Sequence, residues 1–128
     1  MRKMMGLLLA AITSSTYAAE WIKAYEDNGV TIMVDNLSIQ QSADSVTMWQ
    51  RFQYKGTPSN PKISGKKVSH TVSRAMYRCA DRSSATLSRV VYDSYGNVLQ
   101  SGNWSIPIFS PVVPDTLGEA VLDVLCQR

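Results

Sequence analysis

The sequence has 128 residues, with 13 Lys and Arg against 10 Asp and Glu, one histidine and two cysteines. That length makes one domain with a modest core. A single histidine and scattered carboxylates leave no catalytic triad spacing, no metal-ligand cluster and no Gly-rich phosphate loop to read, so catalysis, a metal and a cofactor are not expected.

Residues 1–18 read as a secretory signal peptide. Arg2 and Lys3 charge its start, Gly6 to Ile12 is an apolar run too short to span a bilayer, and Thr16, Tyr17 and Ala18 lead to a cleavage point after Ala18. No cysteine follows the apolar run, so no N-terminal lipidation is expected, and no second apolar stretch offers a transmembrane helix. Arg2 and Lys3 leave with the signal, so 11 basic residues face 10 acidic ones in residues 19–128. A chain near neutrality has no general attraction for nucleic acid. In an oxidising compartment two cysteines most simply form one intramolecular bridge; two free thiols or an intermolecular bond are the alternative.

Trp21 to Tyr25 and Val30 to Asp35 flank Asn28-Gly29, a dipeptide suited to the positive φ angles of a tight hairpin. Asp35-Asn36 breaks the second strand, and Leu37 to Ile39 leads into a polar turn over residues 40–44. Ser45 to Tyr54 is a third strand, with Val46, Met48, Phe52 and Tyr54 on one face and Thr47, Trp49, Arg51 and Gln53 on the other. Lys55 to Lys67, with two glycines, two prolines and four lysines, is expected to be a loop. From Val68 to Cys79, alternation sets Val68, His70, Val72, Arg74, Met76 and Arg78 against Ser69, Thr71, Ser73, Ala75, Tyr77 and Cys79. The second set is small-sided and carries the cysteine, so it is the side on which a helix can lie. Residues 80–83 turn the chain, Ala85 to Asp93 returns, and Val98 to Ser101 begins a sixth strand after a turn containing Gly96. Pro107, Pro111 and Pro114 hold the next segment extended and deny it sheet donors, making it a strap.

The strap leads to a well-marked helix. Thr116 and Glu119 form a capping box, with Pro114 and Asp115 before it. Leu117, Val121, Val124 and Leu125 then make one apolar stripe, widened by Leu122 and Cys126. A Cys79–Cys126 bond would dock that helix onto the hairpin built around Val68 to Asp93. The fold class expected is α+β, mainly β: an antiparallel sheet of about six strands with one C-terminal helix tethered to one face by a disulfide.

Binding signals are softer than structural ones. Lys66 and Lys67 sit among the four lysines of the 55–67 loop, which is either a contact for an acidic partner or a solvated connection. Arg74, Arg78, Arg82 and Arg89 gather on the central hairpin with Val72 and Met76 between them, either a basic contact face or an ordinary outer face covered by arginine stems. Trp21, Trp49 and Trp104 are expected in the core or against the helix.

The order of Trp21, Val34-Asp35, Ile39, Trp49, Cys79, Tyr92-Asp93 before Gly96, Pro114-Asp115-Thr116 and Cys126 resembles the surface-adhesin protein E family of bacteria over nearly all of the chain after the signal. The resemblance implies the same sheet and tethered helix, attachment to host matrix or serum proteins such as vitronectin and laminin, and a tendency to form a homodimer. It makes Arg74, Arg78 and Arg82 the nearest counterparts of the family's basic binding region. The chain departs from a surface-lipoprotein pattern in lacking a cysteine to acylate. The expectation is therefore an exported, non-catalytic protein of the periplasm or cell surface that binds a protein partner. An accessory domain pairing with another envelope protein, or a small-ligand binder using the tryptophans, is the alternative.

Overall fold

Hairpin pairing builds most of the molecule from neighbours in sequence. In the computed structural model, residues 18–27 and 29–127 are described. The signal peptide expected over residues 1–18 falls outside them but for Ala18, as does Asn28 of the first turn. Strands β1 (Trp21–Asp27) and β2 (Val30–Asp35) pair antiparallel, with Gly29 at φ 86° beside the turn. Asp35 then caps a single 3-10 turn, Asn36–Ser38, its carboxylate accepting from the Leu37 amide at 3.1 Å. A two-residue strand, β3 (Gln40–Gln41), leads to β4 (Val46–Tyr54), which pairs with both β3 and β2.

The segment expected to be a bare loop contains a small hairpin. β5 (Lys62–Ile63) and β6 (Lys66–Lys67) pair across Ser64 and Gly65, both at positive φ. β7 (His70–Arg78) and β8 (Ser83–Tyr92) follow as the long central pair, then β9 (Val98–Asn103) against β8. The strap is not wholly outside the sheet either: β10 (Ser110–Pro111) pairs with Ser83 and Ser84. The main sheet thus has eight strands, in the order β1-β2-β4-β7-β8-β10, with β3 on β4 and β9 on β8. The six longer ones are the six expected from the sequence.

Helix α1 (Leu117–Cys126) starts where the capping residues predict. The Thr116 hydroxyl accepts from the Glu119 amide at 3.3 Å, while the Glu119 carboxylate reaches back to the Asp115 amide at 2.9 Å. Val121, Leu122 and Leu125 are buried against Ile32, Val34, Val46, Met48, Ala75 and Tyr77. Each such side chain contributes about 1.5–3 kcal/mol by leaving water, and the three together hold a ten-residue helix that would be marginal alone. Cys79 and Cys126 are bonded, with Cα atoms 5.6 Å apart across a sequence separation of 47. Ala75 and Tyr77 face the helix as their alternation predicts. Val68 does not follow the pattern: it precedes the strand, is buried, and its carbonyl accepts from the buried Asn60 amide at 3.1 Å.

Three interruptions shape the sheet. β1 carries a bulge between Lys23 and Tyr25, β9 one opposite Val91 and Tyr92, and β8 one at Leu87, where Arg74 pairs with Ser88 but Ala75 with Thr86. The Leu87 carbonyl is used by the Trp104 amide at 2.9 Å, which turns the chain out of β9 into the strap.

Candidate binding face

The helix covers one side of the sheet; the opposite side is covered by no helix among the described residues. Registers set its rows. Trp49 pairs directly with Arg74 and Arg74 with Ser88; Met33 pairs with Arg51, Arg51 with Val72 and Val72 with Val90. Trp21, Met33, Trp49, Arg51, Val72, Arg74, Met76 and Val90 are all half-buried. Long side chains therefore shield one another on an otherwise open face.

Its charge is basic. The Arg51 guanidinium donates to the Gln53 carbonyl oxygen at 3.0 and 2.8 Å. His70 stacks on its paired neighbour Tyr92, ring centroids 4.7 Å apart. Partial burial, and then the Arg51 charge, push the His70 pKa below its ordinary value, so the ring is neutral near pH 7. The carboxylate of the strand-end Asp35 is occupied by the amides of Glu20 and Leu37.

The candidate contact residues Arg74, Arg78, Arg82, Lys66 and Lys67 fall in four places. Arg74 lies in the middle of the open face. Arg78 lies at its end, donating to Ser83 and Asp81 at 3.0 Å each with its guanidinium 3.8 Å above the Phe109 ring. Arg82, at φ 52°, reaches toward the helix and pairs with Asp123 at 2.6 Å and Glu119 at 3.8 Å. Lys66 and Lys67 are exposed on the separate β5–β6 hairpin. Arg89 does not join Arg74 and Arg78: the Leu87 bulge shifts the alternation by one residue, so Arg89 pairs with Ser73 on the helix side. The tryptophans are not in the helix-packed core either. Trp21 and Trp49 lie on the open face, and Trp104 is 40% exposed. His70 lies on the open face with Val72 and Arg74, as alternation predicts; Tyr92 was missed as a member of the face, and Arg51, which the polar set of the third strand placed beside Trp49, was not singled out.

Residues 21–127 match the family described as surface-adhesin protein E. The chain belongs to that family. Among solved structures, Haemophilus influenzae protein E is similar at a TM-score of 0.51 and 14% identity, over 88% of this chain and 87% of that one. Protein E from non-typeable Haemophilus influenzae gives 0.51 and 14% over 88% and 79% of the two chains, and a second crystal form gives 0.50 and 13% over 87% and 97%. At that identity the likeness shows the fold. No curated protein matches the chain. Among the described residues no group of three or more His, Cys, Asp and Glu is placed to hold a metal, and no helix is long and apolar enough to cross a membrane.

Proposed function

We propose that the protein is an exported surface adhesin without catalytic activity, which attaches to a host matrix or serum protein through the open face of the sheet. The observation that carries this reading is the family match, which spans the whole domain from β1 to the end of α1. The face supports it by its chemistry: half-buried tryptophan and methionine side chains interleaved with Arg51, Arg74 and Arg78 suit an acidic protein surface, since Trp and Arg supply most binding energy at protein contacts. Arg74 is the central contact and Arg78 a flanking one. Arg82 supports the contact by fixing the β7–β8 turn to the helix, and Lys66 and Lys67 provide a second, looser basic contact.

Two measurements test this together. Protease added to intact cells should remove the protein, and the purified protein should bind immobilised vitronectin or laminin with an affinity that falls with salt and with Arg74→Ala. Protection until the outer membrane is opened, with no matrix binding, would move the protein to an accessory role inside the envelope. Light scattering on the purified chain and on Arg74→Ala tests whether the chain pairs with a second copy and whether that pairing uses the same face.

A further inference from the structure

The helix covers only part of its own side of the sheet. It packs on β1, β2, the first half of β4 and the last half of β7, and the remaining ends of β4 and β7 with β8 and β9 lie beyond it. Two open cavities occupy that remainder. One, of about 330 Å³, is lined by Phe52, Tyr54, Ile63, Val68 and Val91, with Arg89 and Gln100 also facing it. The other, of about 320 Å³, is lined by Trp104, Ile106 and Ile108 of the strap. Thr86 lines both, so they adjoin in one trough.

The chemistry of the trough is selective. Among the described residues Arg89 is its only charged lining residue and no Asp or Glu lines it. Among the described residues no carboxylate pairs with Arg89; its guanidinium lies 3.4 Å from the Gln100 carbonyl oxygen and 5.8 Å from the Trp104 ring centroid. The buried polar groups of the floor are spent on one another, Tyr77 donating to Gln50 at 2.8 Å and Gln50 to Ser73 at 3.1 Å. Ile106 and Ile108 are each 73% exposed, an unusual position for two isoleucines on a proline-stiffened segment.

We propose that this trough binds an amphipathic monoanion, its apolar body lying between the Phe52–Tyr54 wall and the strap isoleucines and its carboxylate on Arg89. The site is separate from the open face and does not rest on the adhesin reading. A cavity near 300 Å³ is at the small end of ligand pockets, which fits a single acyl chain or a small aromatic acid. Charge-assisted contact with the guanidinium sets the orientation.

The test is an amide NMR titration of the ¹⁵N-labelled exported protein with sodium dodecanoate below its micelle concentration. Saturable shifts at Thr71, Thr86, Arg89, Gln100 and the Trp104 indole are expected, with affinity roughly tenfold or more weaker for Arg89→Gln. The cation dodecyltrimethylammonium, added to the unaltered protein, should bind weaker by a similar factor. Equal binding of both amphiphiles, indifference to Arg89→Gln, or shifts that never saturate would overturn the proposal. So would a response to phosphatidylglycerol vesicles alone, which would assign the strap to a membrane surface.

Discussion

Removing the Cys79–Cys126 crosslink by replacing both residues with Ala tests how the helix is held. The bond closes a loop with a sequence separation of 47, and loop-closure entropy gives a stabilisation of about 4 kcal/mol, acting mainly by restricting the unfolded chain. A domain of this size has a total of about 5–15 kcal/mol, so the loss is a large fraction of it. The native fold should nevertheless persist, because Val121, Leu122 and Leu125 stay in the core. In urea unfolding followed by tryptophan fluorescence, with a slope of about 1–3 kcal/mol per molar, the midpoint should fall by roughly 2 M. The slope itself should rise, since an uncrosslinked chain exposes more surface. Reductant added to the unaltered protein should reproduce both changes. A midpoint shift below about 0.5 M with an unchanged slope would refute the entropic reasoning. Loss of the β-sheet circular dichroism without denaturant would show instead that the apolar stripe cannot hold the helix.

Tyr77→Phe leaves the buried Gln50 carbonyl oxygen without its donor and should cost about 1–3 kcal/mol by urea unfolding. Burial pushes the Tyr77 phenol up to about 12 from 10.0; the raised folded value means stability held below pH 10 and lost as pH rises toward 12, and Tyr77→Phe should flatten that loss. His70 should titrate by NMR below 6.5, with stability falling as pH drops from 6.5 through its lower folded value; Arg51→Gln should raise the pKa only in part, because burial is the larger cause. Gly102→Ala places a Cβ 2.8 Å from the Trp104 ring, so the indole should be displaced and its emission move to longer wavelength. An unchanged spectrum would mean the ring does not lie over that glycine.

Where local chemistry decided the structure, the residues could be read directly. Gly29 marked its hairpin, Thr116 and Glu119 the helix start, and the small side chains of β7 the surface on which the helix lies. Long-range placement was less accessible. The two-residue strands of the β5–β6 hairpin are too short to show a period, and Pro111, although it lacks a donor, still takes a place in the sheet beside Ser110. Place on the central hairpin grouped Arg89 with the other arginines, and strict alternation would have done the same, because one extra residue at Leu87 leaves no mark in a sequence of mixed Ser, Thr, Leu and Arg. The tryptophans were misplaced for a related reason: an indole can be half-buried by flanking arginine and methionine stems as well as by a core. On the candidate site, Arg74 was legible, whereas Arg51 and the His70–Tyr92 stack needed the register.

The bulges in β1 and β9 have a consequence for how the protein meets others. Both strands lie at the rims of the main sheet, and a rim with an even run of free amides and carbonyls invites another chain to zip on as an added strand. Here each rim is kinked, the Lys23–Glu26 ion pair sits on one, and Pro111 lies along the other. Filament growth through the rims is thereby disfavoured. Partners are left to approach the broad surfaces, where side chains rather than shared backbone decide what adheres.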